Sequence, residues 1–458
     1  MNVFESVLDA VGATPLIRLR RVTAGLTAQV WVKVEFANPG GSVKDRAALA
    51  MVRAAEELGE LQPGGTIVEG SSGNTGVGLA MVAAQCGYTA VVVVPNTIAH
   101  EKVALLQAYG ARVVATEGKL PREHPEHVNN LARRIAEETD GGWYANQYDN
   151  PANPRIHELT TGPEIWEQTG GRVTHLVAGI GTGGTISGTG RFLKRHGVTV
   201  VGTDPEASVY AGGDGSPYFV ESVGHYLHPD TVEDTWPTAY DRAIVDRFER
   251  IPDGESLRVA RRLAAEEGLL VGGSAGTAVA GALRVAAGLG PEHVVVAVLP
   301  DSGRNYLSKY FDDRWMTGMG FLDATEGPFV RDVVPQRGLA VVPATDTVAA
   351  VLARHGSGPV AVVVPRTSDA PTRSAPEVIG SVDPAELRAL VAADPERAAD
   401  SVTRHAGSAP AAVGHGENAA AATARIDGGK GPVLLLIDGR AVALVPRAVL
   451  EQRHETTG

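Results

Sequence analysis

The chain has 458 residues, 43% hydrophobic and 21% charged, enough apolar material for a large core and, at roughly 150 residues per domain, for about three domains. Its 41 basic and 53 acidic side chains leave a net charge of −12. Such a surface repels phosphate backbones and anionic lipid, so neither a nucleic acid nor a membrane is expected as partner. A single cysteine, Cys86, excludes an intrachain disulfide framework and a cysteine-built metal centre, and points to a cytoplasmic protein.

Residues 1–19 carry Glu5 and Asp9 and lack a basic stretch followed by an apolar one, so no signal peptide is expected. The apolar runs that follow are far shorter than the roughly 20 residues that cross a bilayer. From about 30 to 310 the chain alternates β-branched runs with helical patterns. Strands are expected over 30–34, 66–68, 89–94, 113–115, 175–178, 198–202 and 293–299. Helices are expected over 47–57, 99–109, 128–138, 187–195 and 257–266. Continuous apolar strands, each followed by a helix, predict a parallel sheet covered on both faces, an α/β fold.

The composition shifts after residue 322. Beyond Phe329 there is no Phe, Trp, Tyr, Met or Cys, which predicts a separate C-terminal region beginning near 323–327. It holds two similar passages. One runs from 341–355 through strands at 360–364 and 377–382 to a helix at 384–391; the other runs from 411–425 through 433–437 and 441–445 to a helix near 447–451. Each reads helix, strand, strand, helix, the mark of an internal duplication. The Pro/Ser/Thr stretch 366–376 reads as a mobile loop.

Four glycine-rich segments carry the chemistry. In Asn38-Pro-Gly-Gly-Ser-Val-Lys-Asp-Arg46 the proline and glycines force a turn, and Ser42 can cap the helix that follows. Lys44 then sits in the first helical turn, where the helix dipole disfavours its charge and suits an amine that must attack a carbonyl. In Glu69-Gly-Ser-Ser-Gly-Asn-Thr-Gly76 the turn N–H groups and the hydroxyls of Ser71, Ser72 and Thr75 can cradle an anion, and Asn74 adds an amide.

Gly179-Ile-Gly-Thr-Gly-Gly-Thr185 follows a strand and opens a helix. With Asp204 about 20 residues on, it satisfies the dinucleotide fingerprint, and it equally suits a smaller phosphate. Gly272-Gly-Ser-Ala-Gly276 is a fourth such turn, whose Ser274 offers a hydroxyl. The histidines, among them His157, His175, His225 and His228, are scattered without ligand spacing, so no metal site is expected. Cys86 reads as a packed thiol.

Together and in this order, these segments resemble the fold type II pyridoxal-phosphate enzymes, specifically the cysteine synthase and cystathionine β-synthase family, over residues 5 to 322. The resemblance implies two three-layer α/β subdomains and pyridoxal 5′-phosphate as cofactor. It makes Lys44 the lysine that holds the cofactor and moves the Cα proton. Gly181, Thr182, Gly183, Gly184 and Thr185 would grip the phosphate, and Ser274 would face the pyridine nitrogen. Ser71, Ser72, Asn74, Thr75 and Gln147 would hold the substrate carboxylate, with Asn74 also near the cofactor.

The passage from Leu299 to Leu322 is similar to the end of a cystathionine β-synthase core, and the duplicated C-terminal region to the tandem nucleotide-sensing modules attached to such cores. The implied organisation is a catalytic core over 1–322, a linker over 323–330 and a degenerate tandem CBS module over 331–455. The implied activity is β-replacement through an aminoacrylate, joining L-serine or an activated serine to the thiol L-homocysteine to give cystathionine. Cysteine synthase or another β-substituted alanine synthase, using O-acetylserine or O-phosphoserine, is the alternative, and an NAD-dependent dehydrogenase the remote one. A homodimer or homotetramer is the implied assembly.

Two departures stand out. The family's E-G-I-G loop over the substrate reads Glu221-Ser-Val-Gly224 here, followed by His225. In the C-terminal modules, the positions of the nucleotide-contacting Ser/Thr and Asp hold Asp383 and Glu386 in one copy and Pro446 and Val449 in the other.

Overall fold

A computed structural model describes residues 3–71, 73–96, 98, 100–118, 120–228, 231, 234–334, 338–366, 373–426, 429 and 431–451. Ser72, residues 367–372 of the expected mobile loop and Ala99 of an expected helix lie outside the described residues. The chain divides into two compact units, one drawn from residues 1–215 and 220–306, the other from 216–219 and 307–458.

The first unit is built on two sheets. Strands β1 (Leu16–Arg18), β2 (Gln29–Val34), β7 (His175–Gly179), β8 (Thr199–Pro205), β9 (Arg247–Ile251) and β10 (Val294–Leu299) form one, in the order β1-β2-β10-β7-β8-β9. Strands β3 (Thr66–Gly70), β4 (Thr89–Pro95), β5 (Arg112–Thr116) and β6 (Gly142–Tyr144) form the other, in the order β5-β4-β3-β6. All neighbours are parallel except β1 against β2. The central strand β10, Val-Val-Val-Ala-Val-Leu, is buried along its whole length, as a strand covered by helices on both faces must be. This is the α/β fold that the strand–helix alternation predicts.

Three strands carry too little apolar signal to be read from the sequence. β1 and β6 are three residues long, and β9, Arg-Phe-Glu-Arg-Ile, buries fully only its last side chain. Three helices begin earlier than expected, Asp253–Glu267 by four residues. Lys44–Leu58 starts at the lysine itself with Val43 as its N-cap, while the Ser42 hydroxyl still accepts the Lys44 N–H at 3.2 Å. Gly184–Lys194 starts inside the glycine loop. Close packing explains one further glycine: a β-carbon on Gly276 would lie 2.0 Å from the Ser256 carbonyl, so its absence lets helix Gly273–Ala287 press against helix Asp253–Glu267.

The second unit contains a three-stranded sheet, β11 (Val341–Pro343), β12 (Val360–Val363) and β14 (Val378–Val382), in the order β11-β12-β14. Its four-stranded sheet, β13 (Arg373–Ser374), β15 (Ala411–Gly414), β16 (Val433–Ile437) and β17 (Arg440–Val445), runs β13-β17-β16-β15. The duplication is visible, with one correction: each passage begins with a strand. β11 pairs parallel with β12 and β15 parallel with β16. Only then do helices Val348–Arg354 and Ala419–Arg425 start, where the side chains of Thr347 and Asn418 accept the N–H groups of Ala350 and Ala421.

Residues 307–322 pack within this second unit. The N–H groups of Asp438 and Gly439 donate to the carbonyls of Gly320 and Met319 at 3.0 and 2.8 Å, and Phe219, Trp315 and Phe321 form an aromatic cluster. Among the described residues, no helix is long and apolar enough to cross a membrane.

Candidate active site

The glycine-rich segments lie where a doubly wound sheet presents its ligand crevice, beyond the carboxyl ends of strands and at the N-termini of helices. Residues 38–43 follow β2 and precede helix Lys44–Leu58. Residues 71–73 join β3 to helix Asn74–Cys86, and residues 180–183 join β7 to helix Gly184–Lys194. The start of helix Lys44–Leu58 is tied to the end of β10 by the Val43 N–H, which donates to the Pro300 carbonyl at 2.8 Å. Two residues on from Lys44, the buried Arg46 is forked onto Glu35 and Glu164 at 2.7–2.8 Å, and Lys33 joins Glu164 at 2.6 Å. That network fixes the first turn of the helix; removing one partner of such a buried set leaves a charge stranded and costs about 3–5 kcal/mol.

Lys44 lines a cavity of about 380 Å³, open solvent at its mouth included, with Gly181, Thr182, Gly183, Thr185 and Ser222 among the other walls. Burial brings its amine down from 10.5 to about 8, against the opposing pull of Asp301 and Glu69. No hydrogen-bond partner for its Nζ is present among the described residues. The depressed amine expected from the sequence is therefore present, with desolvation as its main cause.

Of the phosphate-loop candidates, Gly181, Thr182, Gly183 and Thr185 line that cavity and Gly184 does not. Gly183, the N-cap of its helix, has φ 82°, and a β-carbon on it would lie 2.3 Å from that of Tyr240. A β-carbon on Gly184 would lie 2.1 Å from Oδ1 of Asn153, a buried oxygen without a partner. The Asn153 amide donates to the Gln147 carbonyl and to Thr182 Oγ1 at 2.8 and 3.1 Å. Thr185 Oγ1 lies 3.3 Å from Nε2 of His157, which burial holds well below its usual pKa and so neutral.

The other candidates gather around Asp301. Its Oδ2 accepts from the Asn74 amide at 2.8 Å and from the Tyr306 hydroxyl at 2.7 Å. Its backbone carbonyl accepts the Gly272 N–H at 3.1 Å, just before Ser274. The Ser274 hydroxyl is buried with no partner. Thr75 Oγ1 donates to the Gln147 side chain at 2.5 Å, and Ser71, Thr75 and Gln147 are all buried. Glu69, fully buried at the end of β3, is raised to about 8 chiefly by desolvation, opposed by Gln147, Asn146 and Lys44. Glu221 pairs with the buried Lys102 at 2.5 Å, and the Gly224 N–H donates to the Ile180 carbonyl at 2.6 Å. Ser274, Asn74, Thr75, Gln147 and Glu221 are not among the walls of the Lys44 cavity itself.

Asp204, the candidate ribose ligand of the dinucleotide alternative, is fully buried. Its Oδ2 accepts the Ala211 N–H at 3.0 Å, and burial raises it to about 7. Held inside the fold in this way, it is not placed to reach a ribose.

A profile of the family described as "Pyridoxal-phosphate dependent enzyme" matches residues 7–301. The chain belongs to this family. The cystathionine beta-synthase of Apis mellifera is 42% identical over 325 residues, 70% of this chain and 64% of that protein; the one of Oryctolagus cuniculus is 42% identical over 335 residues, 71% of this chain and 59% of that protein. The chain thus spans less than two thirds of the length of these relatives. The cysteine synthase of Staphylococcus aureus strain N315 is 42% identical over 316 residues, 68% of this chain and 98% of that protein. Among solved structures, O-ureido-L-serine synthase superposes with a TM-score of 0.63 at 41% identity, covering 68% of this chain and 96% of that one.

The residues present fit the cofactor. Ser274 Oγ and Asn153 Oδ1 are buried polar atoms left without partners, and the helix N-terminus beside the Lys44 cavity is built on glycines at 183 and 184, where a β-carbon would collide with Tyr240 and Asn153. Sequence reasoning did not assign Asp301, Lys102 or Tyr210, whose hydroxyl donates to the Gly181 carbonyl at 2.9 Å. For Asp301 one signal was available: an acidic residue two positions beyond the most apolar strand, at the carboxyl end of the sheet.

Proposed function

We propose that this pyridoxal-phosphate enzyme replaces the β-substituent of L-serine or an activated serine with the thiol of L-homocysteine, giving cystathionine. The observation that carries the reading is the half-buried Lys44 amine, brought down to about 8 beside the glycine cradle. Lys44 would hold the cofactor through Nζ, Gly181 to Thr185 its phosphate, and Ser274 its ring nitrogen. Bound there, pyridoxal phosphate supplies an electron sink for the Cα of an amino acid.

The remaining work falls to the chain's own side chains. Once free, the Lys44 amine takes the proton from Cα and later returns it, a role suited to a base whose pKa lies near the working pH. Ser71, Asn74, Thr75 and Gln147, with Ser72, would orient the substrate carboxylate. Ser274 can donate a hydrogen bond but, unlike a carboxylate, cannot keep a proton on the nitrogen it faces. Charge at Cα is then delocalised less, and expulsion of the β-substituent is favoured over transamination.

The similarity to cysteine synthase and to O-ureido-L-serine synthase, at essentially the same identity, supports a second reading, β-replacement on O-acetylserine or O-phosphoserine with a smaller nucleophile. In either case residues 331–455 would form a degenerate CBS pair joined by 323–330 to the catalytic core of 1–322, in a cytoplasmic homodimer or homotetramer. Borohydride reduction of the holoenzyme followed by peptide mass spectrometry tests the anchor: the adduct is expected on Lys44, and an adduct elsewhere overturns the assignment. Product analysis with serine plus homocysteine against O-acetylserine plus sulfide decides the substrate pair.

A further inference from the structure

Among the described residues, Ala13, Asn146, Ser222 and Asp438 take a left-handed backbone conformation without being glycine. Of these only Ser222 lines the Lys44 cavity. Its φ is 67°, where a β-carbon crowds the following carbonyl; two residues on, Gly224 takes φ 82° with no such crowding. The surroundings impose this shape. On one side the Gly224 N–H donates to the Ile180 carbonyl. On the other, the His225 N–H donates to Ser208 Oγ at 2.8 Å and His225 Nε2 lies 2.8 Å from Asp234 Oδ1. The Ser222 carbonyl sits so close over Gly181 that a β-carbon there would meet it at 3.0 Å.

The surroundings hold the strain, but the Ser222 side chain itself gains nothing from it. The Ser222 side chain is exposed, and its hydroxyl makes no hydrogen bond among the described residues. Packing would be served as well by glycine. A side chain that gains nothing from the strained position it holds at the wall of a site points to a ligand.

We propose that Ser222 is a specificity-determining residue for the second substrate, its hydroxyl donating to a carboxylate carried by the incoming nucleophile. The inference rests on the β-replacement reading. The side chain is exposed on the wall of the Lys44 cavity, where a molecule arriving from solvent can meet it, whereas Ser71, Thr75 and Gln147, proposed for the first substrate, are buried. Apart from the phosphate loop, the N-terminus of helix Lys44–Leu58 also borders this cavity and favours an anionic group over a neutral or cationic one. Homocysteine carries a carboxylate; sulfide does not.

The test compares Ser222→Gly and Ser222→Ala holoenzymes with the parent. Both variants are expected to keep the change in visible absorption produced by the first amino acid alone. In both, the ratio of kcat/KM for homocysteine over that for sulfide falls about five- to tenfold, the worth of one ordinary hydrogen bond, with the change in KM. Ser222→Gly also melts at a higher temperature than the parent, because the strain is gone, and Ser222→Ala does not. An unchanged ratio with the absorption change intact overturns the role of Ser222 alone. If the parent shows no absorption change with serine or O-acetylserine, the β-replacement reading fails, and this inference with it.

Discussion

The two units of this chain treat their polar interiors differently. In the first, buried polar atoms without partners collect around the glycine loops: Ser274 Oγ, Asn153 Oδ1 and Asp301 Oδ1. In the second, buried acidic groups are answered from within. Glu377 meets Arg366, Arg373 and the Ser374 N–H, and Glu417 meets Arg425 through both carboxylate oxygens. A fold rarely leaves a buried donor or acceptor unanswered without a reason. Buried atoms without partners also occur in the second unit, at His415 Nδ1 and Arg447 Nε; the contrast lies in the buried carboxylates, which that unit answers with its own arginines. The apolar cores do not distinguish the units, since both are close packings mainly of Val, Leu, Ala and Ile.

The sharpest way to break this comparison is Lys44→Ala. Activity is expected to fall by about 10²–10⁴-fold, the usual contribution of a positioned general base, and reduction with borohydride to leave no adduct; a reduced protein still carrying the cofactor would defeat it. Leu435→Ala addresses the second unit, where Leu435 is fully buried on β16. It should destabilise that unit by about 2–5 kcal/mol in denaturant unfolding while cofactor affinity, measured by titration, stays unchanged. A parallel loss of affinity would mean that the units do not divide their roles.

Gly184→Ala places a β-carbon against Asn153 Oδ1. Overpacking of this kind costs about 1–3 kcal/mol, so the cofactor's dissociation constant should rise roughly 5- to 100-fold; an unaltered constant would show that the cradle is not the phosphate site. The gentlest test is pH. Only the neutral amine attacks an aldehyde, and the Lys44 amine is brought down to about 8. Cofactor uptake by the unliganded protein should therefore accelerate as pH rises through about 8 and level off above it. The same depression makes the folded state shed this proton before the unfolded chain does, so Lys44's contribution to stability is full above 10.5 and lost as pH falls through about 8. A midpoint for uptake near 10.5 would mean that the amine is not desolvated.

Much of the catalytic unit was legible in the sequence. The central strands are continuous apolar runs, and the glycine segments announce turns before helices, so the α/β class and the turn that opens helix Gly184–Lys194 could be read directly. The C-terminal duplication was legible too, but its leading strands were not. Val341–Pro343 and Ala411–Gly414 are too short to display a period, and they are strands only because β12 and β16 lie beside them. The division after Tyr306 was hidden for a similar reason, since residues 307–322 follow the core in sequence but pack on β16–β17 and Phe219.

By itself the sequence determined the loops, the helix starts and the lysine they present, because turn residues and helix N-termini act over a handful of neighbouring positions. Only the tertiary structure decided that Asn74 meets Asp301 across 227 residues, that Lys102 meets Glu221 across 119, and that Ser222 is bent into a conformation its side chain resists. Those contacts depend on how the sheet brings distant segments to one edge, and no local spacing encodes that path.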